Sequence, residues 1–401
     1  LLRQHPGGAA ILDLSVVGFG PVARLARAGQ VPRGRNRLRA EHQSGSHLAA
    51  RHPLGHRVEL LGLLATGSVQ HELTVGYTHN QREAYSGESA PIANVPQNLY
   101  NPRPVAPLNP VLATRGTDSA ITDKGLYVFD RMKFGERWQV MVGLRASDYS
   151  NVNVSSRYSA TKTSPNVSVL YKPSADTSIY ASYLEGLEET GTAPANRANS
   201  GEILPPAVNK QKEIGIKTRA LGSYLAQLAL FQIDRPQTTV DAGNRFILGG
   251  KSRYRGLEGS VSGEIGRDWS VIASMLLLDA RIASVGAANA GELGKIPENT
   301  PRRTASLFAE YRLPQVPGLA LSAGAFHVGK RAVNNLNQAF VGSYTTLSLG
   351  ARYVTKLAGR PVTLQANLDN AADRVYWATA GNGLLGVSLP RTLRVGMKVD
   401  L

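Results

Sequence analysis

Three glutamates within five positions, Glu185, Glu188 and Glu189, are a group of ionisable side chains that could do chemistry. Oxygen donors so close together can converge on a hard cation. The plainer reading is a solvated loop, because the three lie together in the long connection 185–209. Of the eight histidines, five (His5, His42, His47, His52 and His56) stand in the first sixty residues. The last four of these are 5, 5 and 4 positions apart and have no carboxylate partner, a poor match to a metal site. His71, His79 and His327 read as strand residues rather than bases. Serines are many, but no Gly-x-Ser-x-Gly elbow places one as a nucleophile. No glycine-rich loop ends in Lys-Ser or Lys-Thr to cradle phosphate. Cysteine is absent, which removes disulfides, thiolate zinc sites and thiol nucleophiles. The expectation is a protein that is not an enzyme and has no catalytic residues and no protein-held metal.

Such residues must be positioned by something, and composition narrows what that is. The chain has 401 residues, 42% hydrophobic and 18% charged, with 41 glycines and 22 prolines. That suits a folded protein rich in turns. No run approaches about 18 uncharged apolar residues, so a spanning helix is not indicated. If the chain crosses a membrane, only a closed barrel remains. The net charge of +16 raises the question of nucleic acid. Residues 1–60 hold nine arginines against three acids, and the remaining excess is spread singly. With no basic helix and no recognised motif, nucleic acid is not expected as a partner.

Residues 1–60 also lack lysine and contain a single aromatic, Phe19. They read as an atypical basic leader: a targeting segment, a disordered arm or a stretch translated out of frame. Residues 61–401 read as the folded part.

From residue 70 the apolar period becomes two. Leu393, Val395, Met397, Val399 and Leu401 alternate with Thr392, Arg394, Gly396, Lys398 and Asp400. Val362, Leu364, Ala366 and Leu368 do the same with Thr363, Gln365, Asn367 and Asp369. The pattern predicts fourteen strands, near 70–82, 125–133, 137–148, 164–172, 176–184, 210–219, 222–233, 253–264, 268–281, 302–313, 318–330, 344–355, 361–369 and 391–400. Short turns alternate with long connections at 83–124, 149–163, 185–209, 234–252, 282–301, 331–343 and 370–390. Short turns at one end and long loops at the other are the arrangement of an outer-membrane barrel. Tyr171, Tyr311, Tyr353, Phe134, Trp138 and Trp269 all fall beside short turns, as an interfacial girdle requires. In 268–281 both faces are apolar, which predicts either an inner contact, such as a plug, or a bulge that shifts the register.

Several stretches resemble TonB-dependent siderophore receptors. They are Gln211-Lys212-Glu213-Ile214-Gly215-Ile216-Lys217 with Ala229-Leu230-Phe231-Gln232-Ile233; Tyr254-Arg255-Gly256-Leu257-Glu258-Gly259; and Asn299-Thr300-Pro301-Arg302 leading into Leu307-Phe308-Ala309-Glu310-Tyr311. Asn367-Leu368-Asp369-Asn370, Arg374-Val375-Tyr376-Trp377 and Pro390-Arg391-Thr392 complete the set. The resemblance implies an all-β, transmembrane antiparallel β-barrel, about 14 strands of a 22-strand barrel with the plug domain absent and no TonB box. It departs from the family in ending at Leu401 rather than at an aromatic. It implies an outer-membrane receptor for ferric siderophores, energised through TonB in full-length relatives and truncated here. Outer-membrane lipid and the barrel-assembly machinery are the other implied partners. No cofactor is implied, since the siderophore itself holds the iron. Ligand contacts would come from aromatics and guanidinium groups in long connections: Tyr100, Arg235, Arg331, Tyr376 and Trp377. A passive porin-like or structural barrel, and a soluble secreted all-β binding protein, stay open beside this reading.

Overall fold

The alternation becomes a single long antiparallel sheet. The structure is a computed structural model that describes residues 13–16, 54–85, 118–153, 156–381 and 384–399. The strands in order are β1 (Asp13–Val16), β2 (Leu54–Thr66), β3 (Val69–Tyr85), β4 (Asp118–Phe134), β5 (Trp138–Val152), β6 (Arg157–Ser174) and β7 (Thr177–Glu188). Next come β8 (Ala207–Leu221), β9 (Tyr224–Val240), β10 (Phe246–Ile265), β11 (Trp269–Ser284), β12 (Arg303–Arg312) and β13 (Leu319–Val328). β14 (Arg331–Ala332) and β15 (Phe340–Val341) pair within one connection, before β16 (Tyr344–Leu357) and β17 (Arg360–Asp369). β18 (Trp377–Gly381) and β19 (Leu384–Val387) form a hairpin ahead of β20 (Thr392–Val399). Leaving out the two small pairs, sixteen strands form one sheet in sequence order.

All fourteen expected strands are present. Two differences matter. The boundary drawn at 60/61 cuts through β2, which pairs with β3 along its whole length, from Leu54↔Gln81 to Thr66↔Val69. The arginines and histidines around it hid the strand, because a charge count is blind to backbone pairing. The wall therefore holds β1 and β2 beyond the fourteen strands read from periodicity. Second, much of the connections expected at 149–163 and 234–252 is strand. β5 and β6 pair up to Val152↔Arg157, and β9 and β10 up to Val240↔Phe246. These extensions mix polar residues with an unalternating apolar run, Phe246-Ile247-Leu248, so the period of two is lost while the hydrogen-bond ladder continues.

The connections still sort by end. β2–β3, β4–β5, β8–β9, β10–β11 and β16–β17 join through tight turns in which Gly67, Gly135, Gly222, Gly266 and Gly359 take φ between 58° and 78°. An L residue with a side chain resists that region. The expected aromatic rim lies at this end. Trp138 packs on Tyr171 with centroids 4.5 Å apart, and Trp269 on Tyr311 at 4.7 Å.

Register separates the two faces. Val169, Ala181, Ile214, Leu230, Leu257 and Leu277 sit directly opposite one another across β6 to β11. Ile214 and Leu230 are 54% and 57% exposed, as an apolar band facing lipid must be. The other face is polar. Tyr127 donates to Glu59 Oε1 (2.6 Å), and Arg57 Nε donates to the Tyr127 hydroxyl (2.9 Å). Arg145 Nη2 donates to Asp123 Oδ2 (3.0 Å). Glycine lets these inward rings lie flat on the wall: a Cβ at Gly256 would run into Phe231 directly opposite. The two-sided apolar pattern of β11 does not come from a bulge. Its ladder with β10 runs unbroken from Ile265↔Trp269 to Ser252↔Ile282 and shifts only beyond Ser252. Ile272 faces inward opposite Phe308, and the two are 45% and 41% exposed.

Candidate functional site

The long connections leave the wall at the end opposite the aromatic rim, so the side chains they carry gather there. Two clusters stand out.

The first is built on Arg331, at the start of β14. Its side chain is buried, with the residue only 4% exposed. Nη1 donates to Asn299 Oδ1 (3.0 Å) and to the Ala378 carbonyl (2.5 Å), and Nη2 donates to the Trp377 carbonyl (2.5 Å). The guanidinium carbon lies 5.4 Å from the Tyr344 ring centroid. Tyr344 in turn stacks on Tyr376, with centroids 3.8 Å apart and planes 20° off parallel. Asn299 has φ 55°, a conformation asparagine tolerates, and its side-chain oxygen also accepts from the Ala380 N–H (3.2 Å). Asn337 closes the same body by accepting from Ile296 N–H (2.9 Å) and donating to Ile296 O (2.7 Å). The connections at 285–302, 329–343 and 370–391 are thereby locked together around one cation. Trp377 remains 45% exposed at the edge of this body.

The second cluster is ionic and more exposed. Arg235, on the extension of β9, forms a two-point pair with Glu188, whose Oε2 also accepts from Asn209 Nδ2 (2.8 Å). Lys210 Nζ lies 3.4 Å from Glu185 Oε1, and Arg82 Nη2 donates to Glu189 Oε2 (2.6 Å). The solvated loop expected for the glutamates is thus corrected: Glu185 and Glu188 end β7, and each of the three carboxylates holds a cationic side chain. They border a cavity of about 590 Å³ whose other wall includes Asp123, Arg145 and Tyr149.

Of the five candidate contacts, the structure brings together Arg331, Tyr376 and Trp377, and places Arg235 apart with Glu188. Tyr100 lies outside the described residues. Asp123, Arg145 and Tyr149 were missed: Arg145 fell in an expected strand, whereas Asp123 and Tyr149 fell in the expected connections 83–124 and 149–163 and are strand residues here. Their signal was available: they are inward positions of strands that outrun the apolar band. His71, His79 and His327 are strand residues, as expected. Among the described residues, no three His, Asp or Glu side chains are grouped to hold a metal ion.

A family model described as TonB dependent receptor-like, beta-barrel matches residues 20–371. The chain belongs to this family. Members of the TonB-dependent receptor family are bacterial outer-membrane proteins, and the lipid-facing band described above fits that location. The chain is 27% identical over 359 residues to the ferrichrome receptor FcuA of Yersinia enterocolitica, covering 84% of this chain and 47% of the relative. It is 29% identical over 284 residues to the probable TonB-dependent receptor BfrD of Bordetella pertussis, covering 63% and 37%. The crystal structure of BauA, the ferric preacinetobactin receptor of Acinetobacter baumannii, superimposes with TM-score 0.74 at 27% identity, covering 88% of this chain and 56% of that one. The chain spans about half the length of the curated relatives it matches. The family match begins inside the stretch that composition sets apart.

Proposed function

We propose that this chain supplies the wall and outer rim of a receptor that takes up a ferric siderophore, with the energy for release passed on by TonB. The family match carries this reading, and it favours a receptor over a passive pore. The rim fits the task. Trp377 offers an exposed indole, and the stacked Tyr344–Tyr376 pair offers a rigid aromatic platform beside it. A chelate with its iron already enclosed needs flat, polarisable surfaces and a few charges rather than metal ligands. Arg331 acts by holding the backbone of Trp377 in place, and Arg235 by holding Glu188 at the cavity edge. The protein's own groups bind and orient; no bond in the ligand is made or broken.

Trp377 gives a direct test, because the other two tryptophans, Trp138 and Trp269, lie at the opposite end of the wall. In a chain carrying Trp138→Phe and Trp269→Phe, a ferric trihydroxamate or ferric catecholate should quench the remaining emission saturably. The iron-free forms should quench less. If no ferric chelate produces a saturable change, the reading fails.

A further inference from the structure

We infer that the receptor takes a ferric chelate with a pendant alkylammonium arm, and that the cavity walled by β3–β7 holds that arm. The inference rests on the receptor reading above and names the class of chelate. The cavity lies apart from the body locked by Arg331, and its volume of about 590 Å³ is that of a small-ligand cleft. Strand geometry sets its depth. On β11, Trp269 at the aromatic rim and Asp279 are ten residues apart. At roughly 3.3 Å per residue and a tilt of about 40°, that spans about 25 Å, the height of the apolar band. The row of Asp279, Arg255 and Gln232 therefore marks the outer head-group level. On β4 the same count from Phe134 reaches Lys124, and Asp123 stands one residue higher. The Asp123 wall of the cavity thus lies above the apolar band, at the outer mouth.

The walls have two characters. Phe129, Pro165, Leu184, Leu187 and Pro206 give an apolar lining. Against it stand the carboxylates of Asp123, Glu188 and Glu189 and a single guanidinium, that of Arg145. The cations that hold the other two carboxylates, Arg82 on Glu189 and Arg235 on Glu188, do not border the cavity. These two ion pairs are therefore oriented, negative end toward the cavity. Asp123 lies directly opposite both Asn80 and Tyr149, so a carboxylate, an amide and a phenol share one cross-strand row. Asp123 gives only Oδ2 to Arg145, and Glu189 gives only Oε2 to Arg82. Among the described residues, Asp123 Oδ1 and Glu189 Oε1 have no partner. The two side chains are 35% and 41% exposed, so a ligand can reach them. A primary ammonium offers three donors, and such oxygens accept from it with charge assistance. Its methylene stem would lie along the apolar lining, as lysine stems do on protein surfaces. An anionic arm would meet the same oxygens as a like charge and be turned away.

The test is isothermal titration calorimetry of the detergent-purified chain with two probes. One is the ferric complex of a linear trihydroxamate that ends in an aminopentyl arm; the other is the same complex N-acetylated on that amine. The iron core is identical, so a difference in affinity belongs to the arm. The amine form should bind about tenfold tighter, and 1 M salt should narrow the gap. In Asp123→Asn combined with Glu189→Gln the two forms should bind alike, with heat-modifiable gel migration reporting that the variant is folded. Equal affinities in the wild type overturn the inference and leave the receptor reading standing. Binding of neither form also overturns it, and takes the receptor reading with it only if no ferric chelate quenches Trp377. A preference that survives in the double variant overturns the placement of the arm in this cavity.

Discussion

The two clusters at the outer end of the wall solve the same problem in opposite ways. Around Arg331 a single cation is stripped of water, and its two terminal nitrogens donate to neutral oxygens from two other connections while Nε has no partner. Around Glu188 the charges are matched one to one, and they stay partly in water, with the Arg235 side chain 50% exposed. A buried guanidinium has no alternative partner once its carbonyls are lost, so every bond counts nearly in full. An exposed pair exchanges one hydrated state for another and gains little. The first cluster is thus a lock and the second a loose fastening, although each uses one arginine.

The largest effect that would break this contrast is at Arg331. Arg331→Ala should destabilise the joined connections by about 3 kcal/mol, because charged hydrogen bonds are lost together with a buried ring contact. Hydrogen exchange should then rise in step at 296–300, 331–333 and 377–381. A rise confined to 331–333 would show that the three connections are not one body. Arg331→Lys should restore little, since one ammonium cannot replace a forked donor set.

Asn299→Ala comes next, at about 2 kcal/mol, from unsatisfying both Arg331 and the Ala380 N–H and from the loss of a residue suited to positive φ. The same exchange measurement at 378–381 reports it. Tyr376→Ala should cost about 1 kcal/mol of local stability through the stack with Tyr344, read as faster exchange around 344 and 376. The smallest effect sharpens the comparison from the other side. Arg235→Ala should cost only about 0.5 kcal/mol, and 1 M salt should erase the difference from wild type. A salt-independent loss of 2 kcal/mol or more, well above the roughly 1 kcal/mol ceiling of exposed pairs, would mean that both clusters are locks.

The wall was legible in the sequence because a lipid-facing strand must alternate, and β17, β20 and the stretch Leu347–Tyr353 of β16 do so. β2 was not, since Arg57 on its polar face and His56 next to it look like leader composition when charge is counted without register. The extensions of β5, β6, β9 and β10 were lost for a related reason. Above the membrane a strand needs only its ladder, and a ladder leaves no mark in hydropathy. At the rim, residue types pointed to Arg331, Tyr376 and Trp377, and these do meet. Their roles were not visible. Whether an arginine is offered to a ligand or consumed by carbonyl oxygens depends on loops that close over 46 or 47 positions of sequence. The asparagines that organise those loops, Asn299, Asn337 and Asn370, were open to reading as turn formers, because their side chains satisfy nearby backbone and they tolerate positive φ.

The β9–β10 hairpin has a consequence for how the protein meets its surroundings. From the row of Gln232 and Arg255 the two strands continue to Val240 and Phe246, which at roughly 3.3 Å per residue lifts their tip about 20 Å beyond the head groups. The tip closes through 241–245, where Asp241 caps the N–H of Arg245. The tip is braced by the β7–β8 connection, where Asn199 Oδ1 accepts from the Phe246 N–H (2.8 Å) and Arg245 pairs with Glu202 (3.0 Å), so it projects beyond the membrane as part of a joined rim. A short peptide epitope spliced in at Gly243 would show on living cells, without breaking them open, which way round the wall had been inserted.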